Sequence, residues 1–125
     1  MTLGQYNLQS MEFSKDEARF DSVDAMIAFL KEQVDAHPVA GYIATFDHYA
    51  HTSSLPQHTI AEDIHDAKMV IFCFGPELSI PQQAGMRPRS ISVIEQTDSY
   101  TVTFMNPPAP ALMDIMTAWC EQLKK

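Results

Sequence analysis

The sequence predicts an α+β two-layer sandwich, a mostly antiparallel sheet with two long helices on one face. Three observations predict it. Two segments, Val23 to Val34 and Leu112 to Leu123, repeat apolar residues at helical spacing. Between them lies Met69 to Gly75, a continuous apolar run with the pattern of a central strand covered on both faces. After it, Ser90 to Gln96 and Tyr100 to Asn106 flank Thr97-Asp98-Ser99, the pattern of a hairpin.

Each element has its own local signal. The residues to about Gln5 read as a flexible tail, and Tyr6 to Lys15 as an edge strand. Asp21 is placed to cap a helix with Asp24 at its third position, and Val23, Met26, Ile27, Leu30 and Val34 share one face. His37-Pro38 ends that helix, because the residue before proline is pushed out of the α region. Val39 to His48 then reads as a strand. Strict alternation puts Tyr42, Ala44, Phe46 and His48 on one face and Ile43, Thr45 and Asp47 on the other. Thr59 and Glu62 have capping-box spacing and predict a short helix from about Thr59 to Ala67. Pro76 to Pro88 is a proline-punctuated loop, and Asn106-Pro107-Pro108 breaks the last strand. The final helix carries Leu112, Ile115, Met116, Trp119 and Leu123 as one stripe. The predicted order is strand, helix, strand, short helix, three strands, helix, in one domain over residues 1–125.

Composition bounds the function. With 46% apolar and 19% charged residues the chain is neither disordered nor fibrous. Met69 to Phe74 is its longest apolar run, far short of the ~20 residues that span a bilayer. The first residues lack the basic and apolar regions of a secretory signal, so no membrane contact and a cytoplasmic setting are expected. A net charge of −8, with only eight lysines and arginines, argues against a nucleic-acid partner. Cys73 and Cys120 both read as small core hydrophobes without a disulfide between them. Eight methionines are accounted for mainly as core filling.

Phe46-Asp47-His48-Tyr49-Ala50-His51 concentrates the candidate chemistry, and all five histidines lie between His37 and His65. His48 and His51 could ligate a transition metal, with Asp47 as a ligand or as the group orienting an imidazole. The spacing is not that of a helical zinc-protease motif, and the alternative is a polar strand end that happens to carry imidazoles. His48 as an acid/base group is a further reading, but Asp47 and His48 are neighbours on a strand and point to opposite faces. Arg87 and Arg89 could hold a carboxylate or phosphate, the alternative being a surface pair that balances an acidic protein. Tyr42 and Phe46 would supply an apolar wall.

Phe20-Asp21, Phe46-Asp47-His48 followed by Ala50, Ile71-Phe72 to Gly75-Pro76, Arg89 to Glu95 and Asn106-Pro107 form a set. In these pieces the chain, from Phe20 onward, resembles the bacterial domain-of-unknown-function family 302. The resemblance implies a β-α-β4-α fold of the kind seen in TATA-binding proteins, and no particular activity. Where that family usually has Gly-Asn-Pro and then Gly-Thr-Pro, this chain has Phe74-Gly75-Pro76 and Ser79-Ile80-Pro81, so loop chemistry differs.

The reading as a whole is a non-enzymatic ligand-binding or accessory domain, with no cofactor expected. A metal-binding protein using Asp47, His48 and His51 is the second reading, and an enzyme with an acid/base His48 the third. Large apolar groups fall on both sheet faces, Tyr42 and Phe46 opposing Ile43, and Phe72 and Phe74 opposing Ile71 and Cys73. The two helices cover only one face. The other is expected to be buried in a homodimer or larger assembly, the alternatives being a small anionic or apolar ligand or one of the chain's own segments.

Overall fold

Valine-rich alternation sets the architecture. A computed structural model describes residues 1–125 and shows one six-stranded antiparallel sheet with two long helices on one face, matching the predicted class. The strands are β1 (Thr2–Leu3), β2 (Tyr6–Ser14), β3 (Ala40–Asp47), β4 (Ile64–Phe74), β5 (Arg89–Gln96) and β6 (Ser99–Met105). The helices are α1 (Val23–Ala36), α2 (His48–Ser53) and α3 (Pro110–Glu121). Across the sheet the order is β1-β2-β6-β5-β4-β3, so the N-terminal strand pairs with the last one. Without the two-residue β1 and the six-residue α2, the chain runs strand, helix, four strands, helix.

Registered pairs fix which side chains share a face, because residues directly opposite in an antiparallel ladder point the same way. Phe13 faces Tyr100, Met11 faces Val102, and Val93 faces Val102. Val70 faces Ile91, and Phe72 faces both Tyr42 and Arg89. The buried members of these pairs meet Val23, Met26, Ile27, Leu30 and Val34 of α1, and Met116, Trp119 and Cys120 of α3, in one core of 20 buried residues, with Met11 and Tyr42 packed against it. Phe72, Phe74 and Trp119 form its aromatic centre, with ring centroids 5.5–5.8 Å apart. Leu123, just past α3, is fully buried and completes the predicted stripe.

Local chemistry moves several boundaries. Ser22, not Asp21, caps α1, its hydroxyl accepting from the Ala25 N–H. Asp24 is thereby freed to engage Lys68 of β4, which ties α1 to the sheet. Residues read as a tail form a hairpin instead. Gly4, at φ 60°, makes the tight turn that lets Leu3 pair with Tyr6. The predicted helix over Thr59 to Ala67 does not form. Ile64 to Ala67 joins β4 and pairs with β5, and the short helix lies eleven residues earlier, at His48. The Asp47 carboxylate caps it, accepting from the Ala50 N–H at 2.9 Å. A capping box is only a local preference, and here the sheet ladder outweighs it.

The two cysteines lie on opposite sides of the sheet and both are free. Cys120 is buried in the helix layer, where burial pushes its thiol up to about 12. Cys73 is a correction. It is half-buried on the sheet face away from the helices and is not part of the core. A thiol reagent at pH 8 is expected to leave Cys120 unmodified in the folded protein and to modify it once urea unfolds the chain, as read by peptide mass. Modification of Cys120 at the same rate in both states would remove it from the core.

Candidate functional site: the open face of the sheet

The same pairs that bury valines on one face place a different set on the other. One row runs Ser10, Thr103, Ser92, Met69, Phe46 across five strands. The next runs Glu12, Thr101, Ile94, Ala67. Ile71 joins Ser90 and Ala44 in a third. The face therefore has a hydroxyl half on β5 and β6 and an apolar half on β3 and β4. Within these rows Glu12 is the one charged residue, at the β2 side, bonded to the Ser99 hydroxyl at 2.7 Å. A chain carrying 24 charged side chains keeps nearly all of them off this surface.

A β-bulge corrects the predicted strand faces. Tyr42 pairs with Phe72 but Ala44 pairs with Ile71, so Ile43 is the extra residue and the alternation flips there. Tyr42 stays on the helix side, under the Lys31 ammonium at 4.7 Å from its ring and with its hydroxyl 2.9 Å from Thr45. Phe46 turns to the open face. The two aromatic residues proposed as one ligand wall thus stand on opposite sides of the sheet.

At the Phe46 end, α2 and the segment after it roof the open face. A cavity of about 320 Å³ lies beneath them. Tyr49, Thr52, Thr59 and Ile60 come from the roof, and Ala67, Ser92, Ile94 and Thr103 from the sheet. Its polar groups are mainly hydroxyls. Lys68, the one ionised lysine or arginine on the lining, is engaged by Asp24, with Asp66 at 3.8 Å and Asp47 at 4.0 Å. The bond to Asp24 first, and then the three negative charges, hold Lys68 above the ordinary lysine range.

The predicted histidine cluster forms only in part. His48 and His51 both lie on α2 and both rest on Phe46, ring centroids 5.3 and 5.5 Å away. His48 stacks on that ring at 26° and also lines the cavity. Asp47 does not join them, since one carboxylate oxygen caps α2 and the other lies near Lys68. His58 bonds to the Leu55 carbonyl at 2.8 Å and His65 to the Thr97 hydroxyl at 3.0 Å. No three His, Cys, Asp or Glu side chains gather in metal-holding geometry. Arg87 and Arg89 do come together, but elsewhere. They line a cavity of about 120 Å³ with Phe74, Met86, Pro108, Ala109 and Leu112, where the loop before β5 meets the start of α3.

A model of a family of unknown function, DUF6858, matches residues 1–125. The chain belongs to that family. It carries a different number from family 302, and like it is a family without an assigned role. No curated protein and no solved structure matches the DUF6858 chain. No helix of this chain is long and apolar enough to cross a membrane.

Sequence reasoning missed most of the DUF6858 cavity. Thr52, Thr59 and Ile60 carry no motif, and only the fold brings them over β5. The floor did carry a signal. Ser90-Ile91-Ser92-Val93 and Thr101-Val102-Thr103-Phe104 alternate strictly, and the hydroxyls had to share a face opposite the valines.

Proposed function

We propose that the DUF6858 chain is a non-enzymatic binding domain whose open sheet face is its working surface. The part under α2 takes a small uncharged ligand with one or two hydrogen-bonding groups, and the rest receives a second copy of the chain. One observation carries the reading: the open-face rows hold no lysine, arginine or aspartate and a single glutamate. A face meant for water would carry charge, as the rest of this −8 protein does. Hydroxyls beside apolar groups suit a ligand that is itself mostly apolar. A surface whose one bordering cation, Lys68, is already held by three aspartates offers little to a phosphate backbone.

The arrangement supports acid/base and metal readings less well. His48 has no carboxylate partner to fix its tautomer, because Asp47 is committed to α2 and Lys68. Two imidazoles against a phenyl ring fall short of a closed set of metal ligands.

Protein-observed NMR with a set of uncharged fragments tests the pocket. Fragments are expected to shift the amides of Thr52, Ala67 and Ile94 in a saturable way. Ala67→Trp, which fills the floor, should abolish those shifts while the spectrum stays dispersed. Shifts scattered over the surface, or unchanged by Ala67→Trp, would refute the pocket.

A further inference from the structure

Neither Arg87 nor Arg89 makes an ion pair. The chain's ion pairs are made by Lys15, Lys31 and Lys68, and neither arginine has a carboxylate within 4.0 Å. Arg19, Lys124 and Lys125 are also unpaired, but Arg87 and Arg89 are the two that share a cavity. The acid nearest in sequence, Glu77, is occupied within its own loop. It accepts from Gln83 at 2.9 Å and from the Ser79 hydroxyl at 3.1 Å, and these bonds first, with a smaller pull from the Arg87 charge, hold it below the usual carboxylate range. Arg87 is fixed by a bond from Nη1 to the Phe74 carbonyl, which leaves its remaining N–H groups free to serve another acceptor. Arg89 is half-buried and opens β5 on the helix side of the sheet, opposite Phe72.

Both arginines line the cavity of about 120 Å³, whose other walls are Phe74, Met86, Pro108, Ala109 and Leu112. The start of α3 adds to the positive field. Ala109 supplies no side-chain cap, and Pro110 has no N–H to give. The Leu112 and Met113 N–H groups turn back to the Ala109 carbonyl, which leaves the Ala111 N–H as a donor at this end. Two unpaired arginines therefore face a small space with apolar walls. A bare inorganic ion would use the cations and waste the walls. An acid with a short hydrocarbon tail uses both.

We propose that Arg87 and Arg89 hold the carboxylate of a small apolar acid, with its tail against Met86 and Leu112. This site is separate from the cavity under α2 and does not depend on it. Butyrate and inorganic phosphate are the probes, titrated into the full chain and followed by amide NMR. Butyrate is expected to shift Ala111 and Leu112 saturably, and Arg89→Gln to weaken it roughly tenfold or more. Ala67→Trp should leave butyrate binding unchanged, which separates the two sites. Arg89→Lys keeps the charge and loses the planar fork, so it should also weaken binding and serves if the glutamine variant fails to fold. Saturation by phosphate but not butyrate would overturn the carboxylate assignment. No saturable shift with either probe, or an Arg89→Lys variant that binds like the original, would overturn the site.

Discussion

Phe72→Ala should remove about 3–5 kcal/mol of folding stability, the cost of deleting a large side chain from a packed core. Phe72 is fully buried in the centre of β4, between Tyr42 of β3 and Arg89 of β5 in the ladder. Its ring stands edge-on to Phe74 at 5.5 Å and to Trp119 at 5.7 Å, so its loss opens a cavity under α3. Domains of this size are stable by ~5–15 kcal/mol, so the variant loses a large share of that. Ile71→Ala is the control, one residue away but half-buried on the open face, with an expected cost of about 1 kcal/mol. Urea unfolding of both variants reads the difference. Equal costs would mean that the helices do not cover the Phe72 face.

The contrast between these two neighbours shows what was legible in the sequence. Alternation is strict in β5 and β6 and, past the irregularity at Ile64–Asp66, in β4. Val93 and Val102 could therefore be assigned to one layer from residue order, whereas Phe72 sits in a run apolar on both faces and joins that layer through its pairing. The helix stripes were equally plain, because Met26, Leu30 and Met116 recur at helical spacing. Alternation failed in β3, where the Ile43 bulge turns Phe46 away from Tyr42. Nothing in Gly41-Tyr42-Ile43-Ala44 announces an extra residue, since a bulge is settled by pairing with β4 rather than by local preference. The short helix was misplaced for a related reason. Asp47 and Thr59 are both competent caps, and the choice between them depends on β4 claiming Ile64 to Ala67 for the sheet. The cavity under α2 is built from that choice, and so it was out of reach. Arg87 and Arg89 were found because two arginines close together in an acidic chain are visible as composition.

The protein should be a homodimer at micromolar concentration, with light scattering reading twice 14.1 kDa. Two copies each carrying −8 repel, so association needs a patch from which charge has been removed. The apolar half of the open face is such a patch. Phe46, Met69, Ile71 and Ala44 lie there in register, and no charged residue stands among them. An isologous contact brings the patch against itself, so a single substitution acts twice. Ile71→Glu would set two carboxylates against apolar groups and near each other. Burial of an unpaired charge costs several kcal/mol, and each 1.4 kcal/mol is about tenfold in affinity, so dimerisation should weaken by roughly a hundredfold or more. The folded monomer should survive, because Ile71 lies outside the core. Glu12→Gln, at the far side of the face, should leave the dimer intact. A wild-type protein that scatters as a clean 14.1 kDa monomer would refute the dimer. A dimer that persists in Ile71→Glu would move the interface to another surface, with the exposed edge of β3 the next place to look.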